Sequence, residues 1–224
     1  MFKRNSIFLG LSLILIVVLG LALLCVPKGD LHLFLCDHHT HARDIFFRYY
    51  TQVAEWFPYI VCVALLLFSR VGNGIFASAC MIISALTTQL FKHIINAPRP
   101  IRWFEDNMPD VQLPLVDGVN MHSWFSFPSG HTTSFFALAF VLCILATQQS
   151  GNSRKSRIPS YSIQVLLFLL ATLGAYSRIY LSQHFALDVF AGICVGLGIT
   201  MLIYILFYRF EGQNWYNYRF FSKK

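Results

Sequence analysis

Charged residues are scarce in this chain: Asp, Glu, Lys and Arg make up 12% of its 224 residues, against 56% hydrophobic. That is too little polar surface to cover a soluble core, so the composition excludes an ordinary soluble domain and points to a membrane protein. The six cysteines contain no CxxC pair and sit mostly in apolar runs. They read as small hydrophobes rather than a redox or zinc framework. Cys25 and Cys36 alone could pair, if both face an oxidising compartment. No internal repeat or low-complexity tract is present, and residues 1–224 read as a single domain. A formal charge of +7 would suggest nucleic acid as partner of a soluble protein; in a membrane protein the basic residues sort by side instead, and no nucleic-acid partner is expected.

What the chain does have is long apolar blocks. Six can be read, at residues 7–26, 53–68, 75–95, 131–147, 163–180 and 185–208, each near the ~20 residues needed to cross the hydrocarbon as a helix. The expected fold is therefore all-α, a polytopic bundle of about six transmembrane helices. Lys3 and Arg4 before the first block mimic a signal peptide, but the apolar stretch is long and no A-x-A-like site follows, so it reads as a retained span. Residues 27–52 mix charge with Leu31, Leu33, Phe34, Phe46 and Phe47, which suits a helix lying at the interface. Residues 97–127 carry four prolines and are expected to be irregular over much of their length.

Charge sets an expected orientation. With the N-terminus in the cytoplasm, Lys3, Arg4, Arg70, Arg154, Lys155, Arg157, Arg209, Arg219, Lys223 and Lys224 are cytoplasmic against Glu211 alone, while the other side holds more acids than bases. This is a positive-inside pattern, with both termini cytoplasmic in a bacterial-type inner membrane.

Three short constellations then fall on the outer face. Lys92 with Arg99-Pro100 ends the third span, Pro128-Ser129-Gly130-His131 opens the fourth, and Ser177-Arg178, His184 and Asp188 straddle the fifth and sixth. Their chemistry fits phosphoryl transfer, in which negative charge spreads over three oxygens and catalysis is chiefly positioning and electrostatics. Lys92, Arg99 and Arg178 supply cations, the arginines as two-pronged forks. Ser129 and Gly130 precede a helix, so a hydroxyl and free N–H groups can meet the same oxygens. If the sixth helix includes both His184 and Asp188, four residues apart, they share a face; Asp188 can take the Nδ1 proton and leave Nε2 as nucleophile. His131 remains to protonate the leaving oxygen and later to deprotonate water.

These residues resemble the signature of the type 2 phosphatidic acid phosphatase superfamily, with its patterns KxxxxxxRP, PSGH and SRxxxxxHxxxD in order and without departure. At ~5% usage per residue type, PSGH alone should occur by chance in roughly one such chain per thousand, so the ordered set is specific. The resemblance implies a membrane lipid phosphatase working through a phosphohistidine, with His184, His131 and Asp188 catalytic, Lys92, Arg99, Ser129, Gly130 and Arg178 holding phosphate, and no metal or other cofactor. Its partners would be the bilayer and a phosphorylated lipid. Lipid A is the expected substrate and the active site periplasmic; undecaprenyl diphosphate and phosphatidylglycerol phosphate are the alternatives.

Other readings rest on less. The run Asp37-His38-His39-Thr40-His41 has ligand-type side chains, but adjacent helical residues diverge and no second ligand cluster accompanies it, so a polar interfacial loop is expected. Trp56, Trp103, Trp124 and Phe125 suit lipid contact or an ordinary aromatic belt. A haloperoxidase with a similar oxyanion cradle fits poorly with six spans. A transporter would predict two related halves with broken helices, which the sequence lacks, and an inert binder would not need the histidine pair.

Overall fold

The computed structural model describes residues 2–149, 154–210 and 212–220. The side chains of Trp56, Arg154, Lys155 and Arg157, and the whole of Glu211, Lys223 and Lys224, lie outside the described residues. All regular structure among the described residues is helical: α1 (Ser6–Cys25), α2 (Lys28–Cys36), α3 (His41–Tyr50), a 3₁₀ turn (Thr51–Ala54), α4 (Trp56–Ser69), α5 (Val71–Ile95), α6 (Pro100–Asn107), α7 (Gly130–Gln149), α8 (Arg154–Tyr180), α9 (Ala186–Tyr208) and the short α10 (Asn214–Asn217).

Five of these helices are long and apolar enough to cross a membrane. The expected second span is the exception. α4 has 14 residues, about 21 Å at 1.5 Å per residue, short of the ~30 Å hydrocarbon. It reaches spanning length only together with the segment His41–Ala54, from which it is bent by 47°. The expected single interfacial helix over residues 27–52 is likewise two helices. Its continuity fails at residues 37–40, where Thr40 caps α3 by accepting the Arg43 N–H at 3.3 Å. Each of the two buries one side, α2 through Leu31, His32 and Cys36 and α3 through Phe47, while Phe34, Ile45, Phe46 and Tyr49 stay exposed, as suits helices lying at the interface. Within the proline-bearing stretch α6 forms with Pro100 at its first position, where a missing N–H costs nothing.

α7 is the centre of the bundle, packed against α5, α8 and α9, and its Phe136, Phe140, Val141 and Cys143 are fully buried. α1 lies outside it. Phe8 stacks on Phe140 with centroids 5.5 Å apart, and Asn5 Oδ1 accepts from Thr147 Oγ1 at 2.9 Å. The other side of α1, with Leu13, Val17, Val18 and Leu21, is exposed apolar surface suited to lipid.

Close approach of α7 and α9 is made by glycine. A Cβ at Gly192 would lie 2.8 Å from the Ser129 carbonyl oxygen, and one at Gly196 2.6 Å from that of Thr133. This small-xxx-small stripe brings the N-termini of both helices together, and the Ser129 N–H donates to the Asp188 carbonyl at 3.0 Å. Gly192→Leu should therefore wedge the two helices apart, costing about 1–3 kcal/mol by overpacking and lowering activity more than tenfold. Gly198→Ala, whose Cβ meets open space, should change neither; thermal melts and turnover of the two variants check this.

Candidate active site

The C-termini of α5 and α8 and the N-termini of α7 and α9 meet at one end of the bundle around a cavity of about 560 Å³. Its wall includes Lys92, Arg99, Gly130, His131, Arg178 and His184. The helices thus gather side chains from residues 92 to 184, all three constellations, in one place.

Each cation is held by backbone or polar partners rather than by an acid. α5 ends at Asn96, whose left-handed φ of 43° turns the chain. The returning strand-like stretch is tied to it: Arg99 N–H donates to Ser123 O at 2.9 Å, and Ser126 N–H to Ala97 O at 3.0 Å. Lys92 Nζ then reaches Phe125 O at 2.9 Å and Arg99 Nε reaches Trp124 O at 3.0 Å. Arg178, only 6% exposed, donates from Nη1 to Thr51 Oγ1 at 2.6 Å. Gln183 Oε1 accepts from Arg99 Nη1 at 2.8 Å and Arg178 Nη2 at 3.4 Å. The Arg178 Nε–H is buried and, among the described residues, has no hydrogen-bond partner. A buried donor in that state is costly unless a ligand oxygen meets it.

His184 is 1% exposed and lies in the turn between α8 and α9, two residues before α9 begins. It and Asp188 therefore do not share one helix, as expected from their spacing. Asp188 is the third residue of α9 and its Oδ2 accepts the Phe185 N–H at 2.9 Å, capping the helix. The same oxygen lies 3.5 Å from His184 Nδ1, and Ser126 Oγ stands against both, 2.5 Å from Asp188 Oδ2 and 3.4 Å from His184 Nδ1. The fold supplies the convergence that a continuous helix was expected to give.

Ser129 is fully buried as the cap of α7. Its Oγ accepts from Thr132 Oγ1 at 3.0 Å, and the cavity wall beside it is formed by Gly130 and His131. Their N–H groups belong to the first helical turn and have no intrahelical acceptor. Thr51, Gln183, Arg48 and His122 line the cavity without having been singled out in the sequence, and Ser126 stands behind His184. Gln183 is a variable position inside the third motif and Ser126 lies just before the second; Thr51 and Arg48 are distant in sequence and carried no signal. Of the aromatics, Trp103 packs edge-on against Phe185 at 5.6 Å, while Trp124 and Phe125 are exposed.

Two other expectations resolve here. Cys25 and Cys36 are both free thiols; Cys25 is exposed, whereas Cys36 is buried with Sγ on Leu33 O at 3.6 Å. In the histidine-rich run, His39 pairs with Asp44 at 2.8 Å and stacks on Tyr180 at 4.3 Å. It joins α3 to the end of α8.

Burial, then the positive charges of Arg99, Arg178 and Lys92, push the His184 imidazole well below the usual histidine range. It is neutral near pH 7, with a lone pair available. His32, buried beneath the same turn with Nε2 3.4 Å from Ser182 Oγ, is lowered to about 4, mainly by burial. Unfolding restores both to about 6.5, so the unfolded chain binds more protons as pH falls below that value. Stability should then fall from pH ~6.5 toward 4, by up to ~1.4 kcal/mol per pH unit for each group. His32→Phe should make the acid-side decline shallower, as read by unfolding in detergent across pH.

A family model, the PAP2 superfamily, matches residues 73–211. The chain belongs to the PAP2 superfamily. Among curated relatives, a probable lipid phosphate phosphatase 4 of Arabidopsis thaliana is 28% identical over 153 residues, 62% of this chain and 50% of that protein. A lipid A 4'-phosphatase of Porphyromonas gingivalis is 26% identical over 173 residues, 75% of this chain and 67% of that one. This PAP2 chain spans about half the length of the plant relative. The crystal structure of a transmembrane PAP2-type phosphatidylglycerolphosphate phosphatase from Bacillus subtilis matches the fold with a TM-score of 0.60 at 22% identity, covering 96% of this chain and 100% of that one.

Proposed function

We propose that this PAP2 protein hydrolyses a phosphate from a membrane lipid, through a phosphohistidine on His184, and that the lipid is lipid A. The observation that carries the reaction is the gathering of Lys92, Arg99, Arg178, His131 and His184 on one cavity wall. The three cations and the free N–H groups of Gly130 and His131 take the phosphate oxygens, and the unpartnered Arg178 Nε–H aims a donor at one of them. The His184 Nε2 lone pair attacks phosphorus; the phosphorus–oxygen bond breaks, and the leaving oxygen takes a proton from His131. Water then attacks phosphorus, the phosphorus–nitrogen bond breaks, and His131 recovers the proton from that water. Ser129 serves the cradle by fixing the turn that presents Gly130 and His131.

Two features support lipid A. The lipid A 4'-phosphatase relative aligns over three quarters of the chain. Beyond the cradle the cavity continues past Gln52, Glu55, Gln89 and His122, a mixture of donors and acceptors suited to sugar hydroxyls. The site end of the bundle faces the periplasm in this reading, because Arg4, Arg70 and Arg209 all lie at the opposite end.

Phosphate release by the purified protein from lipid A, undecaprenyl diphosphate and phosphatidylglycerol phosphate tests both parts. A higher kcat/KM on lipid A is expected. Preference for another lipid would replace the substrate, and no release from any would reject the phosphatase in favour of a binder or carrier.

A further inference from the structure

Ser126 lies two residues before the Pro128-Ser129-Gly130-His131 motif and is completely buried. Its backbone is fixed by the bond from its N–H to Ala97 O at 3.0 Å, which also ties the first motif to the second. Its hydroxyl stands between the two groups whose pairing the proposed reaction needs. Oγ is 2.5 Å from Asp188 Oδ2 and 3.4 Å from His184 Nδ1, slightly nearer the imidazole than the carboxylate itself at 3.5 Å.

A hydroxyl has one proton to give, and the geometry decides where it goes. An ionised carboxylate only accepts, so at 2.5 Å Ser126 must donate to Asp188. Its remaining lone pairs are then what His184 Nδ1 faces, beside the carboxylate oxygen. Two acceptors at Nδ1, with the Ser126 backbone also hydrogen-bonded to the imidazole, place the proton on that nitrogen, which leaves Nε2 bare. The contacts to Nδ1 are long for N–H···O bonds, so neither acceptor alone holds the ring tightly; the pair acts together.

We infer that Ser126 is a positioning residue of the PAP2 site, a hydroxyl bridge from Asp188 that fixes the Nδ1–H tautomer of His184 and stabilises its imidazolium charge when Nε2 is phosphorylated. This rests on His184 being the nucleophile. It adds to the three motifs a residue that none of them contains, and makes the histidine–carboxylate link a three-member relay. Polarised by the carboxylate, the Ser126 oxygen becomes a better acceptor as positive charge grows on the ring.

The test compares Ser126→Ala and Ser126→Thr with the parent and with His184→Ala, in detergent, on the lipid that the parent hydrolyses best. Ser126→Ala should lower kcat about 10- to 100-fold, as removal of an outer partner of a functional imidazole does, with KM within about twofold. Ser126→Thr, which keeps the hydroxyl, should recover most of the loss. Nitrogen-15 spectra of labelled histidine should show the His184 Nδ1–H form in the parent and a mixture of tautomers in Ser126→Ala. An unchanged kcat in Ser126→Ala, equal loss in both serine variants, or the Nε2–H form in the parent would overturn the inference. Turnover by His184→Ala would instead remove the nucleophile reading on which it stands, so the two failures are told apart.

Discussion

His184→Ala should abolish lipid phosphate release, by at least about 10⁴-fold in kcat, while leaving a folded protein. A nucleophile that forms the covalent intermediate has no substitute among its neighbours, and losing one member of such a unit removes nearly the whole effect. The fold should tolerate the change because Asp188 keeps its bonds to Ser126 Oγ and Phe185 N–H, so no buried charge is stranded. The stability loss should stay near the ~1 kcal/mol of an ordinary substitution. Phosphate release, with size-exclusion and thermal melts as controls, checks both; full activity in the variant would reject His184 as nucleophile.

Arg178→Ala should lower kcat by about 10²–10³-fold, the cost of removing one preorganised donor to a developing oxyanion. Arg178 is unusual among the three cations in combining near-complete burial with an unmatched Nε–H. Without phosphate it also faces the positive charge of Arg99, to which it is linked through Gln183 Oε1. Its removal therefore relieves like-charge repulsion, and the melting temperature should hold or rise while activity falls. Arg178→Lys should restore only part of the rate, because an ammonium cannot reach Thr51, Gln183 and a phosphate oxygen in one plane. Inorganic phosphate should raise the melting temperature of the parent more than that of Arg178→Ala, since binding to the folded state stabilises it.

The regions read most accurately from sequence were those where one local rule governs. α1, α5 and α9 lie within a few residues of their apolar blocks, because a long uncharged run has no better arrangement in lipid than a continuous helix. The second span was legible only in part: α4 is too short to cross by itself and reaches spanning length together with the segment His41–Ala54, from which it is bent by 47°. The outer stretch read as one interfacial helix is two, α2 and α3; each packs one side against α8, a contact with no local signature, while Phe34, Ile45, Phe46 and Tyr49 stay exposed.

The sequence by itself determined that the chain is helical, rich in spans, and equipped with Lys92, Arg99, His131, Arg178 and His184 at ends that alternation of spans brings to one face. Those conclusions follow from composition, period and motif order, which depend on neighbours in the chain. Only the tertiary structure decided how the groups are held. It put Ser129 under the cavity as a cap, placed His184 before α9 rather than on it, and set Ser126, Gln183 and Thr51 against His184, Arg99 and Arg178. The physical reason is that these contacts join residues up to 127 positions apart, through hydrogen bonds whose partners meet only once the helices have packed together.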